Sequence, residues 1–229
     1  MATTATTSFA PATSGIVLTA LSRNQIRGPQ IAMEHMVQAE TEVNLIQVKY
    51  SNKQPNLFLS DLTPLSLTAS TATYTLPATV IDIVIIYMTV TSGGVSTDRV
   101  LGPLSTTEYA SFPNKTTEGP PTSYWFNRLA TPQLTLWPVP DDTATYTLNY
   151  RFLRQPYDAS LKSGYTFDAP YRWLDAYGWE LTARMAAHFK PEFFEKWQAV
   201  ADQAWLVAAS EDTEDVPMYV TPGLSSYYR

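Results

Sequence analysis

Apolar residues recur every three or four positions at both ends of the chain and follow strand-like patterns in its middle. The helical spacing covers residues 16–56, where Gly28-Pro29 divides it, and residues 169–210, where Pro191 divides it. Glycine suits the carboxy-terminal end of a helix, and proline suits the first turn of the next one. The pattern therefore predicts a helical layer made of an amino-terminal α-hairpin and a pair of carboxy-terminal helices.

Residues 57–168 carry the strand signals. Tyr124–Leu129 and Gln133–Trp137 place successive side chains on opposite faces, which is the period of two of an extended strand. We expect a hairpin whose second strand ends near Trp137, because Pro138 and Pro140 lack the backbone N–H that a sheet requires. Thr145–Leu153 predicts a third strand that pairs back on the second.

The strongest strand signal is Ile81–Val90, which is β-branched and continuously apolar, and Val95–Val100 returns from it after a Ser-Gly-Gly turn. Continuous apolarity predicts burial on both faces, against the helices on one side and a neighbour on the other. Shorter strands are expected within residues 57–68, which Pro64 interrupts, and at Tyr74–Leu76.

A short helix and two peripheral segments complete the expected fold. Thr106–Phe112 is typical of a capped helical turn, with Glu108 close to its amino terminus. Residues 1–15 lack periodic apolar positions and predict a flexible arm, whereas residues 211–229 begin with an acidic cluster and predict an extended docking tail. The expected class is α+β, a helical layer with an inserted antiparallel β-domain and an extended carboxy-terminal tail.

Composition and charge argue against several classes of function. The formal net charge of −6 argues weakly against a sequence-independent grip on nucleic acid, which needs a basic surface. Cysteine is absent, so disulfides and thiolate metal sites are excluded. The longest apolar run, Val80–Val90, contains Asp82 and is too short to cross a bilayer, so no membrane association is expected.

The aromatic content indicates large surfaces that must be buried. The chain has 14 tyrosines and six tryptophans, and buried aromatics commonly carry interface energy. The candidates for subunit contacts or, equally, for intrachain core positions are Trp125, Trp137, Trp173, Trp197 and Trp205.

The sequence offers little support for a catalytic function. The only histidines are His35, whose neighbour Glu34 points in a different direction on a helix, and His188, which suits the negative end of a helix dipole. Asp141-Asp142 fits a turn better than a carboxylate pair or cation site. Phosphate-loop, nucleophile-elbow and zinc-helix motifs are absent. We expect no enzyme, no cofactor and no metal site.

Two sequence runs carry a resemblance to a known family. They are SYWFNRLATPQLTLWPVPDDTATYTLNYRFLR and APYRWLDAYGWELTARMAAHFKP, and they follow the predicted α-hairpin in that order. This arrangement, over most of residues 16–210, resembles the head-to-tail adaptors of short-tailed phages, also called tail tubular protein A or head-completion connectors.

The resemblance implies a structural protein of the virion at the head–tail junction, assembled in the host cytoplasm. Copies would form a ring, commonly of twelve, with the helical layer facing the portal protein and the β-domain facing the tail nozzle protein. Double-stranded DNA would pass through without sequence-specific binding, and like-charge repulsion from an acidic channel would oppose tight binding. The tail would dock on the portal through residues that include Val216, Pro217, Met218, Tyr219, Tyr227, Tyr228 and Arg229.

Two other classes remain as alternatives. A tail-associated cell-wall hydrolase would place two essential carboxylates in a cleft at a separation suited to glycoside chemistry. A host- or glycan-binding β-module would expose an aromatic patch at the outer tip of the virion.

Overall fold

The computed structural model describes residues 9–54 and 56–212, which combine helices with one antiparallel and one mixed sheet and confirm the α+β class. The α-helices are α1 (Thr13–Arg23), α2 (Met33–Lys53), α3 (Thr106–Ser111), α4 (Leu174–Phe189) and α5 (Phe194–Ser210). The strands are β1 (Ser60–Ser66), β2 (Thr73–Thr75), β3 (Val80–Ser92), β4 (Val95–Val100), β5 (Gly102–Pro103), β6 (Ser123–Asn127), β7 (Gln133–Trp137) and β8 (Thr145–Arg154). Short 3-10 turns lie at Gly28–Gln30, Leu57–Leu59, Tyr171–Trp173 and Pro191–Phe193.

Helix α4 forms the centre of a helical lobe, which we define as α1, α2, α4 and α5. All three other helices pack against α4, and Leu181 and Met185 are fully buried between them. An aromatic cluster closes the end of this core, with Trp173 lying 5.8 Å from both Tyr50 and Phe58 between ring centroids. The burial of large apolar side chains is the main term that stabilises this lobe.

The first two helices begin and end a few residues from their predicted positions. Helix α1 ends at Arg23 because Asn24 donates hydrogen bonds to the carbonyl oxygens of Ala20 and Thr182, and Gln25 then takes a left-handed conformation with φ of 62°. The Gly28-Pro29 pair forms a 3-10 turn, and α2 runs from Met33 to Lys53. The carboxy-terminal helices follow the prediction, with a break at Pro191.

Two four-stranded sheets make a β-lobe, which we define as β1 to β8 together with α3. The strand orders are β1-β8-β3-β4 and β2-β7-β6-β5, and the inward side chains of both sheets form one hydrophobic core. Tyr146, Leu148, Tyr150 and Phe152 point inward from β8, which shows the expected alternation of a strand with one buried face.

The predicted hairpin is present, but its third strand pairs elsewhere. Strands β6 and β7 are antiparallel, with Tyr124 opposite Leu136, and β7 ends at Trp137. The prediction that Thr145–Leu153 pairs back on β7 is wrong, because β8 lies between β1 and β3 in the other sheet. The proline-rich segment after Trp137 carries the chain from one sheet to the other.

The prediction that the strongest strand is buried on both faces is also wrong within a single chain. Ile86 and Met88 of β3 are fully buried against the opposite sheet, whereas Ile81, Val84 and Ile85 have exposed fractions of 40%, 51% and 41%. Register shifts in the pairing with β8 at both Val80/Asp82 and Ile83/Ile85 disturb the simple alternation there. The outer face of this sheet is therefore exposed.

Local sequence chemistry accounts for two smaller elements. Pro64 does not interrupt β1, because β1 is an edge strand that pairs only with β8. Helix α3 has the predicted capping arrangement, since the Ser105 hydroxyl accepts from the Glu108 N–H at 3.2 Å and the Glu108 carboxylate accepts from the Ser105 N–H at 2.7 Å.

We predict that Leu148→Ala lowers the free energy of unfolding by about 2–5 kcal/mol, because it leaves a cavity between the two sheets. Val95→Ala, at a position with 66% exposure on the β3–β4 hairpin, should change it by less than about 0.5 kcal/mol. Urea unfolding monitored by circular dichroism measures both. Equal losses from the two variants would contradict the assignment of Leu148 to the core.

Candidate functional site

A network of charged side chains lies buried between α2 and α4. The Arg184 guanidinium donates from Nη1 to Glu42 Oε2 at 2.8 Å and from Nε to Glu180 Oε1 at 3.1 Å. Lys49 Nζ donates to the same Glu180 oxygen at 2.6 Å. Glu42 and Glu180 share the Arg184 guanidinium inside a helix interface. This pair of carboxylates is therefore a structural element of the helical lobe and does not lie in an open cleft.

The network lowers the pKa of Glu42. Burial alone would raise this pKa, but hydrogen bonds from Arg184 and His188, the charge of Arg184 and a hydrogen bond from Gln38 outweigh that effect. His188 Nε2 lies 2.9 Å from Glu42 Oε1 and 3.1 Å from the amide nitrogen of Gln38. The carboxylate is therefore held in its ionised form.

The other histidine also has a structural contact. His35 Nδ1 accepts from the Ala32 N–H at 2.8 Å, which caps the start of α2, and its ring packs 4.4 Å from that of Phe189. His188 lies in the last turn of α4, as its position in the sequence predicts.

Arg154 ties the last strand of the β-lobe to the connection that returns to the helices. Its guanidinium contacts Asp168 through two nitrogens, at 2.5 and 3.1 Å, and Asp61 at 3.2 Å. Burial would raise the pKa of Asp168, but the hydrogen bonds from Arg154 and the Tyr157 N–H lower it overall. Further along this connection, Ala159 exchanges two backbone hydrogen bonds with the side chain of Asn44 on α2.

A second tie joins the end of α5 to the start of the β-lobe. Asp212 is buried, accepts from Arg172 Nη2 at 2.6 Å and accepts from the Leu57 N–H at 3.2 Å. Both segments that connect the lobes are therefore anchored by a buried or half-buried ion pair, and we expect the lobes to move together.

The tryptophans of the helical lobe range from fully buried to half-buried. Trp173 is fully buried and so is unavailable to a neighbouring subunit, whereas Trp197 and Trp205 keep part of their surface. Lys53 Nζ lies 4.0 Å above the Trp205 ring. Our sequence reasoning missed Trp179, whose ring stacks beneath the Arg23 guanidinium at 3.6 Å and lies 5.5 Å from Trp197.

Trp125 and Trp137 lie on the outer face of the β2-β7-β6-β5 sheet beneath helix α3. The Tyr109 ring stacks on Trp125 at 5.1 Å, and the Phe112 ring stacks on Trp137 at 4.2 Å. Trp137 Nε1 also donates to the Asn114 carbonyl at 3.2 Å. Both rings make intrachain contacts and remain half-buried, so the choice between core and subunit contact stays open for them.

Asp141 organises a turn. Its Oδ1 accepts from the Tyr146 hydroxyl at 2.6 Å and from the N–H and hydroxyl of Thr143, and these bonds, with that of Tyr146 the largest cause, lower its pKa. This arrangement agrees with the turn interpretation of Asp141-Asp142.

Open grooves lie on the surface of the helical lobe in the described part of the chain. One of about 440 Å³ runs along α1 between Ile16, Tyr171 and Leu174. A second, of about 450 Å³, lies between α2 and the residues that follow β8, beside Leu45 and Val48. A third, of about 270 Å³, lies along α5 beside Gln203 and Val207. Each is an open groove at a helix surface.

Three expectations concern metals, membranes and the tail. Among residues 9–54 and 56–212, no group of three or more His, Asp or Glu side chains is placed to hold a metal ion. None of the helices in that part of the chain is long and apolar enough to cross a bilayer. The proposed docking residues from Val216 to Arg229 lie outside the described residues.

We predict that Arg184→Met lowers the free energy of unfolding by about 3–5 kcal/mol, because it leaves the buried carboxylates of Glu42 and Glu180 without their shared partner. Arg151→Met, which replaces an exposed arginine on β8, is the matched control. Denaturant unfolding compares the two. A loss no larger than that of the control would show that the network adds nothing to stability.

We predict that Glu42 makes the helical lobe sensitive to acid. Its pKa is lower in the folded chain than in the unfolded chain, so its contribution is complete above the ordinary glutamate pKa of 4.5 and is lost as the pH falls through the lower folded value. Glu42→Gln should flatten the dependence of the melting temperature on pH below about pH 4.5. The same change at exposed Glu34 is the control, and identical acid profiles for Glu42→Gln and the unmodified chain would contradict the assignment.

A search of curated proteins found no match. A family model described as SU10 adaptor protein matches residues 21–220, which span the last three residues of α1, the whole of α2, the whole β-lobe and both carboxy-terminal helices. This confirms the adaptor resemblance of the sequence, and the chain belongs to the SU10 adaptor protein family, a family of structural head-to-tail adaptors of phage virions.

Proposed function

We propose that this protein forms a ring that joins the portal of a phage head to the tail nozzle. The match to the adaptor family over residues 21–220 is the observation that carries this proposal. In the ring, the helical lobe faces the portal, the β-lobe faces the nozzle, and double-stranded DNA passes through the centre.

The two lobes suit a part that must hold two different partners. Each lobe has its own hydrophobic core, so each can present a separate surface without unfolding the other. The ion pairs of Arg154 and Asp212 hold the connecting segments, so a force applied to one lobe would be passed to the other. A junction that carries the load of DNA passage needs such a rigid link.

The charge of the chain supports passage of DNA without capture. Like charges repel, and only a basic surface displaces the counterions of DNA. With a net charge of −6, the chain favours sliding over sequence-independent binding. We include in the proposal that acidic side chains line the channel.

The tail that follows Asp212 is long enough to reach the portal. Residue 213 follows Asp212 at the end of the helical lobe next to the β-lobe, because Asp212 contacts Leu57. Helix α5 is 17 residues long, or about 26 Å. The 17 residues from 213 to 229 can span up to about 56–61 Å when extended, about twice that distance. The tail is therefore long enough for residues 216–229 to dock on the portal.

Negative-stain electron microscopy of the chain mixed with its portal tests the proposal. We expect a ring seated on the portal, with the β-lobes directed away from it. Monomers that do not bind the portal, together with hydrolase activity on cell-wall glycan, would favour the enzyme instead.

Deletion of residues 216–229 should weaken attachment to the portal and leave the fold intact, because residues 16–209 already supply a hydrophobic core for each lobe. Co-sedimentation with portal measures attachment, and the circular dichroism spectrum and melting temperature measure the fold. Unchanged attachment by the truncated chain would contradict the role of the tail while leaving the ring itself in place.

A further inference from the structure

Helix α2 has an exposed apolar ridge on the side opposite its buried face. The buried face consists of Ala39, Val43, Ile46 and Tyr50, with Glu42 and Gln47. Between Val37 and Val48, the exposed residues of α2 are Val37, Thr41, Leu45 and Val48, and none of them is charged. A helix that faces water normally carries charged residues on its outer side. The ridge is therefore suited to contact another protein surface.

Helix α5 has an exposed row with the same spacing. On α2 the row is Glu34, Val37, Thr41 and Leu45, and on α5 it is Lys196, Ala199, Gln203 and Val207; all eight residues are exposed. Both rows follow steps of three, four and four residues. Placed side by side in the same direction, they set Glu34 opposite Lys196, Val37 opposite Ala199, Thr41 opposite Gln203 and Leu45 opposite Val207.

The chemistry of the facing pairs is complementary. The first pair joins opposite charges, and the Thr41–Gln203 pair can form a hydrogen bond. Val37 faces a small residue, and Leu45 faces a valine beside the 270 Å³ groove that runs along α5. In the opposite direction, Glu34 would face Val207, and the charge complementarity would be lost.

The two rows cannot meet within one chain. The Glu42 end of α2 contacts His188 at the end of α4, and Tyr50 donates to the Ala176 carbonyl near the start of α4, so α2 and α4 are antiparallel. Helix α5 turns back along α4, and Asp212, two residues after the end of α5, contacts Arg172 just before α4, so α5 is antiparallel to α4 and parallel to α2. Both rows are exposed in the chain, so they do not pack on each other within one copy, and a contact between them needs a second copy.

We propose that the α2 ridge of one copy packs in parallel on the exposed α5 row of the next copy. This inference rests on the proposed ring and names its contact surface. A contact between two different faces is heterologous and closes into a ring when the rotation allows. Rotation about an axis along the helices preserves their direction, whereas a two-fold axis across them would reverse it. The parallel register therefore requires a ring axis along the helical lobe, which is the direction of the DNA channel.

Cysteine cross-linking tests this contact, because the chain has no cysteine of its own. Full-length chains with Leu45→Cys and with Val207→Cys are mixed, assembled on portal and oxidised. We expect a disulfide-linked dimer at about ten times the yield of the control mixture of Leu45→Cys with Val95→Cys, whose second position lies on the β-lobe. A chain that carries both substitutions should form a ladder of linked copies.

A charge exchange gives a second measurement on the same contact. Glu34→Lys alone should reduce the fraction of portals that carry a complete ring, and Glu34→Lys combined with Lys196→Glu should restore it. Glu34→Lys combined with Lys162→Glu, at an exposed position outside both rows, restores the net charge without restoring the pair, and this control should not restore the ring.

The outcomes separate this inference from the proposed function. A ring on the portal with no excess of Leu45–Val207 dimer, or with mainly Leu45–Leu45 dimer, overturns the pairing and leaves the adaptor function standing. Failure of the unmodified chain to seat on the portal overturns the proposed ring, and the pairing falls with it. An excess of the named dimer together with rescue by the charge exchange supports both.

Discussion

The burial of the central part of α4 is the constraint on which the helical lobe depends. Three other helices pack against α4 and Glu180 is buried among them, so its carboxylate must find a partner inside the lobe. Arg184, one turn further along α4, provides it and also reaches Glu42 on α2. The ion network thus makes the position of α2 against α4 specific, whereas apolar contacts alone would tolerate a shift along the helix.

That position in turn determines where the β-lobe is held. The α2 helix leads into Leu57, whose N–H is bound by Asp212, and α4 is preceded by Asp168, which is bound by Arg154. The inserted lobe therefore starts and ends at points that the helical core keeps close together. Because both ties depend on buried or half-buried carboxylates, the link between the lobes resists bending more than a pair of free loops would.

Sequence patterns predicted the local elements better than their partners. The β6–β7 hairpin, the capped helix α3 and the break at Pro191 follow from residues that act over a few positions, such as Ser105 and Glu108. The pairing of β8 depends on which sheet the chain enters after Pro140, and the period of two is the same in either sheet. The ion network was missed for a similar reason, since Glu42 and Arg184 are 142 residues apart and a helical pattern does not show which charges meet.

The apolar residues of α2 do not keep to a single side of the helix. A helix with one buried face separates its apolar and polar residues clearly, whereas α2 has apolar residues on two opposite sides and buried polar residues between them. Val37, Leu45 and Val48 blur the pattern because they lie outside the core of their own chain. In a chain that acts as one part of an assembly, the sequence must encode both the core and the contacts between copies. The two apolar sides of α2 therefore agree with the proposed contact between its exposed ridge and a neighbouring copy.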